Sequence, residues 1–493
     1  MVHPIHAVSE PEPTGARTHG PLAAALGNAS LLGVGYLMLG RRELAVATGA
    51  ITLVLVSVLF RVARPWCEVV LLLWWVAVVA HGWFLARGRR DRTVVRGQRL
   101  LALGAACAVL LPVGFARFDA AGIERDIAEA HARGDCSEVP VLRNEVRLHH
   151  RVVGAVPVAR GDGIAEVCDR LLAAGLRLES ELDGEGGAPH TIEITEATAV
   201  DSGLKEGFDV LASALADPGN EKAVGVALNA FLDDLPADDP CRTVTITDWL
   251  GRRHPGQEAL DRYADTIARA VARTEPAALV GCGDALADAG RWEEARDHYR
   301  RLLDRHPDDA RTDRARKGVT RATRAIELAN VRSLLAAAEG EQPAYCSTPA
   351  KYGGAAPYRK GKTNRALFGG PTEYTDRLPD TWRTDDPAEA VLVVCVGESK
   401  FGTPVRTCPY EPGSSGRGIT NVTFHKIGIP VKAYELRTGK LVADRTVEIG
   451  GTSCPGFLTY YTFGDDDSGP PPDRYITPSK ADVRAGFASL ITR

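Results

Sequence analysis

Four apolar runs crowded into the first quarter of the chain constrain it more than any other feature: Leu22 to Leu39, Ala45 to Val62, Val69 to Ala86 and Leu100 to Ala116. Each is close to the roughly 20 residues a helix needs to cross the hydrocarbon core of a bilayer. The sequence therefore predicts a disordered tail over 1–21 and a membrane domain over 22–118, with helices at about 22–39, 45–62, 69–86 and 100–116. Trp66 and Trp83 flank the third run, where amphipathic rings favour the interface. Trp74 and Trp75 fall mid-span and are expected to pack on neighbouring helices. Asn28, Ser30 and several glycines dilute the first run, so whether it spans fully stays open.

Orientation follows from charge, because Lys and Arg in short loops are held on the cytoplasmic side. Arg87, Arg89, Arg90, Arg92, Arg96 and Arg99 make the stretch between the third and fourth runs the densest positive cluster. That stretch is expected inside, and residues 119–493 outside. Arg41 and Arg42 mark the end of the first run as cytoplasmic; the tail with Glu10, Glu12 and Arg17 is outside if all four runs span and inside if the first does not. The tail lacks a basic start and a small-residue cleavage site, so no processing is expected. Glu68 and His81, at the two ends of the third run, are read as interfacial groups rather than as an ion path.

The ten cysteines divide by region. Cys67 and Cys107 lie in apolar stretches; Cys136, Cys168, Cys241, Cys282, Cys346, Cys395, Cys408 and Cys454 fall in the remainder. An even set with no C-x-x-C pair reads as disulfides in an oxidising compartment, the alternative being scattered buried thiols. Position suggests Cys136 with Cys168, Cys241 with Cys282 and Cys395 with Cys408, leaving Cys346 to Cys454, although eight cysteines allow on the order of a hundred pairings. Net charge is only -4 and the signs are interleaved, which gives no footprint for nucleic acid.

From Ala120 to about Ala338 apolar residues recur at helical spacing. Within this stretch, Leu279, Gly283, Leu286, Ala295, Tyr299, Leu302 and Pro307, with Gly290 and Arg291 at a turn, resemble a tetratricopeptide repeat over 276–309. Cys282 departs from the family, which usually has Leu or Ile there. The resemblance implies a protein or peptide receptor. One helix pair cannot bury its apolar face alone, so neighbours are expected at 123–132, 221–235, 257–272 and 312–338, together a divergent helical solenoid over 119–340. A single hairpin in an irregular α domain is the alternative. The Ala, Arg, Gly and Asp bias with little Lys resembles actinobacterial proteins, here an uncharacterised multipass membrane type. Gly33 to Arg42 resembles small bacterial membrane modules in which a Gly-rich helix ends at a Gly-Arg turn.

After Gly340 helical periodicity stops and β-branched alternation begins. Strands are predicted at 390–396, 404–410, 421–426, 430–436 and 440–449, with a turn at Thr438-Gly439. A closing helix is expected to start at Thr477, with Val483, Phe487, Leu490 and Ile491 as its apolar stripe. The expectation is an α+β domain over 341–493, mainly antiparallel, with a loose likeness to a module of secreted bacterial proteins that carries no functional residue over.

Motifs for chemistry fail on inspection. Gly361-Lys362-Thr363 lacks the phosphate-loop glycine at Ala356, and Gly33-x-Gly35 meets Met38 where a dinucleotide fingerprint needs glycine. Gly464 to Gly469 lacks the alternating acids of a calcium loop. His149 and His150 read as polar surface. No catalytic, cofactor or metal residue is nominated, and no cofactor is expected. The functional reading is a non-catalytic extracytoplasmic scaffold of the cell envelope with a protein or peptide partner. An extracytoplasmic sensor and an envelope hydrolase are the rivals.

Overall fold

The computed structural model describes residues 21–87, 96–183, 193–252, 254–338, 340–411, 418–461 and 469–492. The chain forms two compact units that divide between Glu275 and Pro276. This differs from the boundaries expected at 118/119 and 340/341.

The first unit opens with α1 (Pro21–Ala29) and α2 (Val34–Met38), followed by α3 (Arg42–Val62), α4 (Pro65–Arg87) and α5 (Arg96–Arg133). Among the described residues, three helices are long and apolar enough to cross a membrane, within α3, α4 and α5. The first apolar run is not a fourth. It breaks at Leu31 and Gly33, both with positive φ (59° and 67°), and turns back on itself. The contacts define the path: Ala24 clusters with Ala86, Asn28 donates to the Val78 carbonyl at 3.3 Å, and Trp75 donates to the Ala29 carbonyl at 3.0 Å. So α1 runs antiparallel to α4 and stops about halfway along it. The return brings Tyr36 onto Val78 and Ala45, and Leu39 back to Ala24 and Ala86. Gly27 and Gly35 face each other so closely that a Cβ on Gly27 would lie 2.7 Å from the Gly35 nitrogen. Asn28, fully buried, satisfies the break by accepting from the Tyr36 amide at 3.1 Å. Both ends of this hairpin thus lie at the Arg87 end of α4.

α5 is 38 residues long, about 57 Å at 1.5 Å per residue. The fourth apolar run and the helix expected at 123–132 are one continuous element. Its second half enters a bundle of α6 (Val139–Arg143), α7 (Leu148–Val153), α8 (Ala155–Asp183), α9 (Glu193–Ala214), α10 (Glu221–Asp233), α11 (Pro240–Leu250) and the start of α12 (Ala264–Asp288). One core holds all of these but α7, from Ile127, Leu171, Leu178, Leu204 and Phe208 to Leu228 and Trp249. α8 packs on α5, α6, α7, α9 and α10 at once, whereas solenoid helices touch only sequence neighbours. This part is a bundle around α8, not the expected row of stacked pairs. His150 is buried in it, with Nε2 2.9 Å from the Asp119 carboxylate, which corrects its reading as surface; His149 is exposed.

The second unit begins in the latter half of α12 and continues through α13 (Trp292–Arg305) and α14 (Thr312–Leu335) into a six-stranded sheet. The strands are β1 (Ala366–Gly369), β2 (Leu392–Val396), β3 (Lys400–Tyr410), β4 (Thr420–Glu435), β5 (Lys440–Ile449) and β6 (Asp473–Tyr475). The sheet is mixed, since β1 pairs with β2 and β6 with β4 in parallel. β4 is its axis. On one edge β2 pairs with residues 431–435 and β3 with 420–428; on the other lie β5 and β6. A break was expected at 427–429, between strands at 421–426 and 430–436, yet one strand runs through it and through Pro430. Pro430 sits where β2 gives way to β3, a place where a missing N–H leaves no ladder bond unmade. α15 (Lys480–Ile491) closes the sheet with Val483, Phe487, Leu490 and Ile491 buried. It starts at Ser479, not Thr477, in a capping box with Asp482.

Candidate protein-binding surface

The helix pair over 276–305 is built around one ring. Leu279, Leu286, Ala295 and Leu302 are buried, and Tyr299 is almost fully enclosed. A Cβ on Gly283 would stand 2.7 Å from the Tyr299 ring, and one on Gly318 in α14 would stand 2.6 Å from its other edge. The ring is therefore held between α12 and α14 at two positions where only glycine leaves room. Its hydroxyl donates to Asp284 at 2.5 Å, and Arg314 of α14 donates to the second oxygen of the same carboxylate at 2.5 Å. Burial first, then the Asp284 bond, push the Tyr299 hydroxyl well above its ordinary pKa. Gly290, with φ +77°, reverses the chain between α12 and α13, and the Arg291 amide donates to Leu286 O at 2.8 Å. Arg291 then pairs with Glu294 at 2.5 Å at the start of α13. Pro307 lies exposed in the turn after α13.

Residues 276–317 match the tetratricopeptide repeat family. No curated protein and no solved structure matches the chain. The repeat speaks for its own segment alone, and within that segment the third helix matters. α13 packs against α14, whose outward face carries Arg316, Lys317, Thr320, Arg321 and Arg324. Arg321 lies 5.4 Å over the Trp292 ring. The sequence reading passed over Gly318 and Arg314, because neither fits the two-helix pattern; their roles exist only once α14 is laid on Tyr299.

α14 also joins the repeat to the sheet. Val331 belongs to the cluster of Tyr345, Val393, Cys395 and Tyr434. Glu327 accepts from the Gly353 amide at 2.7 Å and faces Lys351 at 3.3 Å; Arg332 pairs with Asp386 at 3.2 Å. The Arg332 contact and the Ala388 amide hold the Asp386 carboxyl below its ordinary range, the amide contributing most.

Cys136 is bonded to Cys168, with Cα atoms 5.0 Å apart, and Cys241 and Cys282 are each in disulfide form. In the sheet region the bonds are Cys346–Cys395 and Cys408–Cys454, which overturns Cys395 with Cys408 and Cys346 with Cys454. The reason is register. Cys395 sits opposite Lys432 and Cys408 opposite Val422, ten residues apart along β4. That is about 33 Å of strand, where a disulfide needs Cα atoms within roughly 7 Å. Cys67 and Cys107 are free.

Of the arginines used for orientation, Arg87 ends α4 and Arg96 begins α5, with Arg99 in its first turn. Arg89, Arg90 and Arg92 lie outside the described residues, as do residues 464–468 and the tail. Glu68 meets Arg117 of α5, which donates to it at 2.5 Å. His81 faces the Tyr36 hydroxyl at 2.8 Å. Among the described residues no group of three or more His, Cys, Asp or Glu side chains could hold a metal ion.

Proposed function

We propose that this protein is an envelope-anchored scaffold in which the repeat and its third helix receive a protein or peptide partner. The observation that carries the reading is the Tyr299-centred hairpin matched by the repeat family. Helix pairs of this kind present conserved-geometry surfaces for other chains rather than pockets for small molecules. Three apolar helices and the re-entrant hairpin hold the chain in the bilayer. The arginines of α4 and α5 support a cytoplasmic side for the Arg87 end, and with it for both ends of the hairpin. Residues 119–493 then lie outside, which accords with their disulfides. The role is a non-catalytic one.

The test is photocrosslinking in intact cells from probes at Lys317 and Arg324, with Lys480→Cys labelled in parallel by a reagent that cannot enter. The expectation is a discrete protein adduct at the α14 probes and full labelling of position 480. An absent adduct, or a shielded position 480, contradicts the proposal.

A further inference from the structure

A groove lies in the first unit, outside the residues matched by the repeat family. It occupies about 410 Å³ between α8, α10 and the turn at 134–137, a size within the roughly 300–1,000 Å³ of binding clefts. Leu171, Leu172 and Gly175 contribute from α8, and Ala223, Ala227 and Ala230 from α10. These are positions at helical spacing on two neighbouring helices, and their small side chains leave a furrow. A Cβ built on Gly175 would meet nothing within 4 Å. Leu176 and Val226 stand at the rim, 67% and 49% exposed. Large aliphatic side chains so placed beside an open apolar furrow mark a surface that another chain covers. The disulfide Cys136–Cys168 pins the turn to α8, so the furrow is preformed.

Charge at the rim says what kind of chain. Asp135, Glu179 and Asp234 are exposed around the furrow, and among the described residues Glu179 and Asp234 have no cationic partner. Glu179 lies near the C-terminal end of α8 and Asp234 caps α10, where the helix dipole adds further negative potential. The one cation in the lining, Arg133, is taken up by Glu138 at 2.7 Å. An apolar furrow with an acidic rim complements an apolar ridge flanked by cations.

We infer that the groove between α8 and α10 docks a basic amphipathic helix of a protein partner, its apolar ridge in the furrow and its Lys or Arg residues against Asp135, Glu179 and Asp234. This rests on the scaffold reading but names a second surface and the chemistry of its occupant. Helix-in-groove recognition reads anchors at i, i+3, i+4 and i+7, which matches the two ridges.

The probe is a labelled synthetic peptide with leucines at that spacing and lysines elsewhere, titrated onto the full chain in zwitterionic nanodiscs, with empty nanodiscs as background. Saturable binding is expected. It should weaken about ten-fold or more in Gly175→Leu, which fills the furrow while favouring helix, and likewise in Glu179→Lys/Asp234→Lys. A peptide with glutamates in place of the lysines should not bind. No binding above background, equal binding of the acidic peptide, or indifference to both variants overturns the inference. So does a dimer of this chain that Gly175→Leu dissolves, because the occupant is then a second copy. Photocrosslinkers at Leu176 and Lys317 in cells separate the two proposals. A partner caught only at Lys317 removes the groove and leaves the scaffold; an adduct at neither position removes both.

Discussion

At the scale of single residues the repeat turns on Tyr299 and the two glycines beside it. Gly283→Ala or Gly318→Ala pushes a methyl group against a ring that is tethered to Asp284 and has nowhere to move. Overpacking of this kind costs about 1–3 kcal/mol, so each variant should melt several degrees lower in a thermal scan of the full chain, with Tyr299→Phe losing about 1 kcal/mol for the hydroxyl bond. An unchanged melting point for both alanine variants would show that the ring is free to shift. Gly283 and Tyr299 were legible in the sequence because they belong to a two-helix pattern. Gly318 was not, since a glycine inside a helix has no meaning until its opposing side chain is known. In the sheet, Glu448 accepts from the Thr403 hydroxyl and amide at 2.6 and 2.8 Å and faces Lys426 at 3.2 Å. The Thr403 hydroxyl bond leads in holding its pKa below the ordinary value. A lowered folded-state pKa stabilises above the ordinary value, about 4.3, and the contribution is lost as pH falls through the lowered one. Glu448→Gln should therefore be less stable than the parent near pH 7, and the difference should close on acidification; proteolysis of the β3–β4 region across pH reads it.

At the scale of elements the instructive case is the α1–α2 hairpin. Hydropathy over 22–39 counts apolar residues and is blind to a reversal of direction, which here depends on backbone at Leu31 and Gly33 and on Asn28 bridging both arms. With Cys67 and Cys107 replaced by serine, single cysteines at Pro21 and Arg41 should react from the same side of the membrane. Opposite sidedness would restore a full span. Disulfide pairing was unreadable for a related reason: predicted strands list neighbours in sequence, while the edge of β4 sorts β2 and β3 end to end. Peptide mapping of the non-reduced protein should return Cys346 with Cys395 and Cys408 with Cys454. Cys136→Ser/Cys168→Ser, which opens a 32-residue separation, should lose about 4 kcal/mol on the loop-entropy scale. Intact stability in that double variant would mean that the turn at 134–137 is held by packing alone.

Across the whole molecule, composition and periodicity made the broad division readable: apolar helices first, helical residues to about Leu335, a sheet thereafter. What they could not show was which pieces cohere. The helical stretch has uniform periodicity, and the division between the two compact units falls within it at Glu275. Its last helix adheres to the sheet through Val331 and Glu327, contacts that involve no change of pattern in the sequence. The same limit applies to the groove between α8 and α10, whose acids and alanines carry no motif. α5 has a further implication. One continuous helix runs from the apolar span into the bundle without an intervening linker, and Pro112 inside the span is the place where it can bend. A tilt of the helix past Pro112 is therefore carried straight to the far end of the lever.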